Sequence, residues 1–427
     1  MITPTFGLTA TERVLPRLAL DFTTASLDPR ITFTRAANTA TRINSSGVLE
    51  VVNADTPRFD YNPVTLAIRG LLIEEARINS IRNNTMQGAA VGVIGSTGAL
   101  PTNWFAWTGA GLTWEVAGLG AENGIDYIDI RVYGTSNSTA VFPAFEQDKQ
   151  IAAVDGETWA QSVYFKIVAQ PNPFNSYTQR IRINNSSGSQ IAQIDSTFTP
   201  TTTLTRYTAS GTIASATTAY VQPSFRFGLT NGGTYDVTFR IGLPQIEKGG
   251  SVTSVIKTST AAVTRNGDLA ALLGTDFSDW YNQTEGTFVV QWLCSPRTAA
   301  NYFPKIFHVN DGVGSGNTGI SVGMNAVSGN AFASVYDDAN VFQGVSDSWA
   351  NLAVGATAKT VLAYGSSIQA AQNAVLATEV TGIILPTAQT ALHIGSSYSG
   401  LQLNSHIQKL WYYPQRLTNA EVQAFSK

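Results

Sequence analysis

The stretch IDYIDIRVY, residues 125–133, decides how the fold of this chain is predicted. Apolar Ile128, Ile130 and Val132 alternate with polar or aromatic residues, which is the period of a β-strand with one buried face. The same alternation recurs at Val163, Phe165 and Ile167, at Phe225 and Phe227, and at Val237, Phe239 and Ile241. Because turn-forming Gly, Asn, Pro or Ser residues bound each run and helical periodicity is scarce, the sequence predicts an all-β fold of sandwich type.

The composition excludes several classes of protein. The 427 residues include a single cysteine, Cys294, which rules out a disulfide scaffold, a cysteine-based zinc site and a CxxC redox motif. With 26 basic and 29 acidic residues the formal net charge is -3, so no basic surface for nucleic acid is indicated. No apolar run reaches about 18 residues and the N-terminus lacks a signal-peptide pattern. We therefore expect no nucleic-acid binding, no membrane insertion and no classical export.

Local composition divides the chain into three units. Small residues dominate the stretch 83–101, and a second linker-like stretch spans residues 249–268. Helices are expected at two places only. The stretch LLIEEARINSI, residues 71–81, predicts a short or partly irregular helix, and Thr418 with Glu421 forms the capping-box pattern that opens a C-terminal helix.

Three phrases of the sequence are long and specific enough to compare with known families. The first phrase comprises Phe33 to Ala36, Pro57 to Asp60, Gly70 to Arg77 and Asn79. The second comprises Gln245, Glu247, Gly249, Thr253, Ser254, Thr264 and Arg265. The third comprises His393 to Ser396, Leu410, Tyr412 and Leu417 to Glu421.

The first phrase resembles a recurrent family of bacteriophage virion proteins of the head-spike, head-fibre and tail-fibre type. The second is similar to the last strand of a jelly-roll module of the carbohydrate-binding-module kind, and the third to the closing strands of concanavalin A-like lectin or laminin-G-like domains. The resemblance implies an N-terminal virion-attachment region at 1–82, a jelly roll at 83–255 and a concanavalin A-like β-sandwich at 265–427.

The resemblance also implies a function. The first hypothesis is a virion fibre, spike or tail-end protein, expected as a homotrimer, whose N-terminal region binds other virion proteins and whose sandwiches contact host-surface glycans. The alternative is a capsid or tail decoration or adaptor protein that binds only other virion proteins. A third possibility is a polysaccharide depolymerase. In each case the expected location is the virion.

The polar face of residues 125–133 is the best candidate for glycan recognition. Tyr127, Asp129, Arg131 and Tyr133 lie opposite the apolar face, and proteins recognise sugars by stacking on aromatic rings and hydrogen-bonding the hydroxyls. The simpler alternative is that this face is solvated, or is covered by a loop or a neighbouring subunit. The sequence leaves these readings open.

Other arginines and tryptophans of the middle unit have simpler explanations. Arginines alternate with apolar residues on three further strands, where they could bind anionic glycans, although salt bridging or a subunit interface is the favoured reading. These arginines are Arg180, Arg182, Arg226 and Arg240. Trp104, Trp107 and Trp114 resemble a binding platform, but core or edge packing is the favoured role.

Candidate metal ligands are few. Asp337 and Asp338 in YDDAN and Asp311 in HVNDG provide the oxygen ligands that Ca²⁺ prefers, although tandem Asp is also ordinary turn chemistry. We expect no other cofactor. The segment GSGNTG, residues 314–319, spells GxGxxG, but it has no following helix and is interpreted as a loop.

Catalysis has little support in the sequence. His308, His393 and His406 show no HExxH spacing, and no GxSxG motif occurs. A glycosidase needs only two carboxylates at a fixed separation, which the sequence does not exclude. We expect that the chain is not an enzyme.

Overall fold

The computed structural model describes residues 15–106, 109–296, 303–312, 317–325, 329–346, 349–398 and 400–427. Regular structure in these ranges is almost entirely β-strand, so the predicted all-β, multi-domain fold is confirmed. Within the described residues, four large sheets form two sandwiches. One is built from strands between residues 92 and 248 and is called here the jelly roll, and both ends of the chain build the other. No helix in these ranges combines the length and the apolar character needed to cross a membrane.

The elements fall into three groups along the chain. The first group is β1 (Leu18–Asp21), a 3-10 helix (Phe22–Thr24), β2 (Thr32–Thr34), β3 (Ala40–Ile43), β4 (Leu49–Val52), β5 (Arg58–Tyr61), β6 (Ile68–Ile73) and β7 (Arg77–Asn79). The second group is β8 (Gly92–Val93), β9 (Phe105–Ala106), β10 (Leu112–Glu122), β11 (Ile125–Thr135), β12 (Ala140–Val141), β13 (Pro143–Ala144), β14 (Ile151–Ala152), β15 (Thr158–Asn172), β16 (Ser176–Asn184), β17 (Gln190–Phe198), β18 (Thr205–Thr212), β19 (Tyr220–Gly228) and β20 (Thr234–Lys248). The third group is β21 (Val263–Arg265), β22 (Leu269–Leu273), α1 (Thr275–Ser278), β23 (Gly286–Leu293), β24 (Lys305–Asn310), β25 (Gly319–Met324), β26 (Ala331–Tyr336), β27 (Phe342–Ser346), β28 (Thr357–Tyr364), β29 (Ser367–Gln372), β30 (Val375–Leu376), β31 (Val380–Thr381), β32 (Ala391–Ile394), β33 (Ser405–Tyr413) and α2 (Asn419–Phe425).

The second group forms the jelly roll. One of its sheets has the strand order β18-β15-β20-β11-β10-β8, and the other has β17-β16-β19-β13-β9 with β12 and β14 also on β19. The alternating apolar residues of β11, β15, β19 and β20 meet in one buried core. Trp104 and Trp114 lie in that core, as their favoured interpretation predicts, whereas Trp107 lies outside the described residues.

The first and third groups together form the second sandwich, called here the terminal sandwich. Its larger sheet has the order β30-β29-β28-β23-β33-β6-β5, with β1 on β33 and β31 on β29. Its other sheet has the order β2-β22-β32-β24-β25-β26-β27. Residues from both ends of the chain, including Leu20, Phe59, Leu71, Phe288 and Tyr412, share a single core.

The N-terminal region 1–82 was expected to be a unit of its own, and the strand pairing shows a different organisation. β1 and β6 both pair with β33, and β2 pairs with β22. The reason is burial: the apolar side chains of these strands fill the core between the two sheets of the terminal sandwich. The terminal sandwich is therefore built from residues 18–73 and 269–425.

The predicted helix at 71–81 is wrong. Residues 68–73 form strand β6 and residues 77–79 form strand β7. Leu71 and Ile73 point into the core, and β6 hydrogen-bonds to β5 on one side and β33 on the other. Pairing on both edges together with burial outweighs the local helix propensity of the LLIEEAR phrase.

The predicted C-terminal helix is confirmed. Thr418 accepts a hydrogen bond from the backbone of Glu421, and the Glu421 carboxylate accepts one from the Thr418 backbone, which completes the capping box. Val422 of α2 is buried with Tyr413 and Leu417 against the outer side of the larger sheet. The helix thus covers an apolar patch that would otherwise face solvent.

The jelly roll is an insertion between two adjacent strands. The chain leaves the terminal sandwich through β7 and returns through β21, and these two strands pair antiparallel, with Asn79 opposite Val263. The Asn79 side chain also donates to the carbonyl of Ile256 at 3.0 Å. Both connections between the two sandwiches therefore run side by side.

A buried network of charges lies where these connections meet the terminal sandwich. Within the described residues it contains three arginines and two acids: Arg35, Arg58, Arg265, Glu74 and Asp268. Arg35 reaches Asp268 at 3.0 Å, and Glu74 receives Arg58 at 2.7 Å and Arg265 at 2.5 Å. Arg58 also pairs with Asp268.

The hydroxyl of Ser254 completes this network. Ser254 Oγ lies 2.6 Å from the Glu74 carboxylate, and Arg58 and Arg265 each donate to Ser254 Oγ at 2.8 Å. Burial would raise the pKa of Glu74, but the charges of Arg265 and Arg58 and hydrogen bonds from Ser254 hold it far below its usual value of 4.5. The network contributes stability that is present above pH 4.5 and is lost as the pH falls further.

We predict that Asp268→Asn strongly destabilises the protein. The substitution removes a buried negative charge that Arg35 and Arg58 both need, so the expected loss is about 3–5 kcal/mol in the free energy of unfolding. Asp28→Asn is the matched control, because Asp28 pairs with the half-exposed Arg30 and should lose less than about 1 kcal/mol. Urea unfolding at pH 7 measures both, and equal losses in the two variants would contradict the prediction.

We also predict that residues 265–427 do not fold alone. That fragment lacks β1, β5 and β6, so β33 keeps β23 but loses β1 and β6, and the core loses Leu20, Phe59 and Leu71. A chain in which Asn-Gly replaces residues 80–262 keeps these strands and closes β7 and β21 as a two-residue hairpin. Thermal unfolding by circular dichroism should be cooperative for the hairpin variant and absent for the fragment. A cooperative transition in the fragment alone would show that the N-terminal strands are dispensable.

Candidate functional site

The candidate glycan face lies on β11, near the middle of a jelly-roll sheet. Ile128, Ile130 and Val132 are fully buried in the core, as the alternation predicted. Tyr127, Asp129, Arg131 and Tyr133 consequently lie on the outer side of the sheet, where all four are half-buried. β10 flanks them on one side and β20 on the other.

Ion pairs across the strands connect the charged residues of this outer face. Arg131 donates two hydrogen bonds of 2.9 Å to Asp236, and Arg240 donates two of 2.8 Å to Asp129. Arg240 also pairs with Glu122, which accepts from Lys166 at 2.7 Å. We call Tyr127, Asp129, Arg131, Tyr133, Asp236, Arg240, Glu122 and Lys166 the ladder face.

The pairing shifts the pKa of several ladder groups. Hydrogen bonds from Arg131 lower the pKa of Asp236, and the hydrogen bond to Asp129 raises the pKa of Arg240. Burial would raise the pKa of Glu122, but Lys166 and Arg240 lower it. These groups therefore stay charged at neutral pH, and their charges balance one another.

Both tyrosine rings of the ladder face carry a guanidinium group. Arg240 lies 3.3 Å from the ring centroid of Tyr127, and Arg131 lies 4.4 Å from that of Tyr133. Gly120 makes room for the first ring, because a Cβ there would lie 2.7 Å from the Tyr127 hydroxyl. A sugar therefore meets a flat surface of paired polar groups, in which one face of each ring is already occupied.

The remaining arginines of the jelly roll behave in part as their simpler interpretation predicts. Arg180 pairs with Asp195 through two hydrogen bonds of 2.7 Å on the opposite sheet. Arg182 donates to Gln190 at 2.8 Å. Arg226 lies on the same sheet and forms no ion pair within the described part of the chain. Salt bridging between neighbouring strands thus accounts for Arg180 and Arg240.

Two of the three candidate calcium ligands, Asp337 and Asp338, use their carboxylates in loop hydrogen bonds. Asp337 accepts from the backbone of Ala339 and Val341 and from the side chain of Gln343. Asp338 accepts from Thr387 instead. Asp311 accepts a hydrogen bond from Thr390 through its backbone carbonyl at 2.6 Å. In the ranges described, no group of three or more His, Cys, Asp or Glu side chains is placed to hold a metal ion. Residues 314–316 of the GSGNTG segment lie outside those ranges.

A second group of polar residues lies on the outer side of the smaller sheet of the terminal sandwich, and the sequence analysis did not identify it. His393, His308, Ser321 and Ser334 stand opposite one another on four neighbouring strands, and all are buried. Lys305 donates to Ser321 at 3.0 Å. The polar positions alternate with core residues in the sequence, so the period-two pattern could have identified the row.

Burial keeps the two histidines of this row uncharged. Burial, with Lys305 close by, lowers the pKa of His308 from 6.5 to about 3, and burial lowers the pKa of His393 to about 4. His308 is held between Asn310 at 3.3 Å and the carbonyl of Thr318 at 3.2 Å. Protonation of His308 would place a positive charge beside Lys305.

We predict that these two histidines make the protein less stable in mild acid. The unfolded chain takes up protons near pH 6.5 and the folded chain does not, so the free energy of unfolding falls as the pH drops from 6.5 toward 4. The double variant His308→Gln, His393→Gln should flatten that slope when urea midpoints are measured across this range. An unchanged slope in the double variant would assign the acid sensitivity to other groups.

Comparison with known proteins gives similarities to solved structures at low identity. No protein-family model and no curated protein matches the chain. Among solved structures, it is similar to the CBM40 of the Ruminococcus gnavus IT-sialidase, at 12% identity, with 34% of this chain and 84% of that one covered and a TM-score of 0.30. It is also similar to domain 4 of AbnA, a GH43 extracellular arabinanase from Geobacillus stearothermophilus, at 12% identity, covering 38% of this chain and 73% of that one, with a TM-score of 0.29.

A third match is the sialidase of Trypanosoma rangeli, at 10% identity, covering 74% of this chain and 62% of that one, with a TM-score of 0.29. A sialidase thus stands among the structures similar to this chain, which contradicts the expectation that the chain is not an enzyme. At these identities and TM-scores the likeness transfers no residue role to this chain.

Proposed function

We propose that this chain is a structural component of a bacteriophage particle, a fibre, spike or tail-end protein, that binds host-surface glycans through the ladder face of its jelly roll. The observation that carries the glycan part is the ladder face itself: a surface of charged and hydroxyl groups that their own pairing holds in place. Groups held in place before binding lose little conformational entropy when a ligand arrives.

The virion part of the proposal rests on the residues of the first two phrases. Arg35, Arg58 and Glu74 belong to the first phrase and Ser254 and Arg265 to the second, and all five meet in the buried network. A buried network needs all of its charged residues at once, because each charge needs its partner. A long and specific sequence phrase is the pattern that such a requirement produces. The resemblance to phage virion proteins therefore coincides with the part of the structure that joins the two sandwiches.

The chemistry of the ladder face suits hydroxyl-rich ligands. Each carboxylate oxygen has two lone pairs, and the pairing with arginine uses only part of this capacity. Asp129, Asp236 and Glu122 can therefore still accept hydrogen bonds from sugar hydroxyls, while the tyrosine hydroxyls can donate or accept. We propose that the protein is a trimer on the virion. Three ladder faces that each bind weakly would then together give useful avidity.

We predict that Asp129→Ala weakens binding to host cells at least tenfold. The experiment uses the full-length chain, fluorescently labelled, on host cells and on a glycan array. Asp195→Ala is the matched control, because Asp195 also accepts two hydrogen bonds from an arginine of a neighbouring strand, but on the opposite sheet. Binding by Asp195→Ala should equal that of the unmodified chain.

Two outcomes would overturn the proposal. Equal loss in both variants would assign the effect to fold stability and would remove the ladder face from recognition. If the full chain binds purified phage particles but neither host cells nor any glycan, the chain is a decoration or adaptor protein. Mass spectrometry of purified particles tests the virion location, and absence of the chain from them would contradict that part.

A further inference from the structure

A cleft lies between the jelly roll and the two connecting strands. Its volume is about 440 Å³, and its walls come from β7 and β21 on one side and from β14, β15 and β20 on the other. Clefts of this size between two units of a chain are common sites for small ligands. The residues that matter for its chemistry are Glu75, Arg77, Ile78, Glu157, Trp159 and Lys248.

The polar groups of the cleft form two neutral pairs. Glu157 accepts from Lys248 at 2.6 Å and from the Trp159 indole at 3.0 Å. On the opposite wall, Arg77 donates to Glu75 at 2.5 Å. Since each cation faces a carboxylate, the cleft offers hydrogen-bond donors and acceptors without an excess of either charge.

Arg77 is held by contacts that leave one of its donors unused. Its Nη1 donates to the carbonyl of Lys248, and a Cβ on Gly249 would overlap that nitrogen, so glycine is needed there. The side chain of Arg77 is only 10% exposed. Its Nε is buried and has no hydrogen-bond partner in the described residues.

The cleft also offers apolar surface. The Ile78 side chain is 49% exposed although it lies at the junction of the two sandwiches, and the Trp159 ring lines the same wall as Glu157. A pyranose ring has the matching character, because one face presents C–H groups and the rim presents hydroxyls. A charged ligand would instead have to displace one of the existing ion pairs.

We propose that this cleft is a second binding site, separate from the ladder face, for one neutral sugar residue of a glycan. Arg77 and Lys248 would donate to the hydroxyl oxygens, Glu75 and Glu157 would accept from the hydroxyl hydrogens, and Ile78 would contact the C–H face. Gly242 on β20 pairs with Tyr127 of the ladder face, and Lys248 lies six residues further along the same strand, which corresponds to about 20 Å. One ligand residue therefore cannot occupy both sites.

The test measures sugar binding by the full-length chain. Isothermal titration and saturation-transfer NMR are carried out with glucose, galactose, arabinose and N-acetylglucosamine, and with glucuronic acid as the charged counterpart. We expect saturable binding of at least one neutral sugar below about 10 mM, the weak affinity typical of a single small contact surface. Glucuronic acid should bind more weakly.

Three variants locate the site. Ala152 is exposed and lines the cleft, so Ala152→Phe should fill the cleft and abolish binding without disturbing the core. Ile78→Ser should weaken binding at least fivefold, whereas Ile191→Ser, at another exposed isoleucine on β17, should leave it unchanged.

Several results would overturn the inference. Absence of saturable binding by every neutral sugar would remove the site, and so would full binding by Ala152→Phe. Tighter binding of glucuronic acid than of the neutral sugars would contradict the ligand class. Loss of sugar binding in Asp129→Ala but not in Ala152→Phe would place the sugar on the ladder face and leave the cleft empty.

Discussion

Three arginines and two carboxylates, buried together, are the constraint on which the rest of this structure depends. Buried charges are tolerated only when each has a partner, so Arg35, Arg58, Glu74, Arg265 and Asp268 must come together for any of them to be buried. These residues come from both sides of the jelly roll in the sequence. The network therefore fixes the position at which the inserted sandwich leaves and rejoins the terminal one.

Much of the fold follows from the sequence because it depends on local pattern. The alternation in β11 correctly placed Ile128, Ile130 and Val132 in the core, and the capping box at Thr418 correctly placed the last helix. The predictions that were wrong concern strand pairings between residues far apart in the chain. β6 became a strand because β33, more than 300 residues later, pairs with it, and no window of sequence contains that information.

The candidate site shows the same division between local and distant information. The outward position of Tyr127 and Arg131 could be predicted from the period of one strand. The stacking of Arg240 on Tyr127 could not, because it requires the register between β11 and β20 and a glycine on β10. That contact changes the chemistry of the face from exposed rings to paired charges and hydroxyls, and so changes which part of a sugar it can meet.

The side-by-side arrangement of β7 and β21 has a mechanical consequence. If the jelly roll is pulled away from the terminal sandwich, both strands are loaded in the same direction, so their mutual hydrogen bonds are not sheared. The tension passes along two parallel routes to Glu74 on one and Arg265 on the other, which are bonded to each other. A protein under drag would share the force between the two connections.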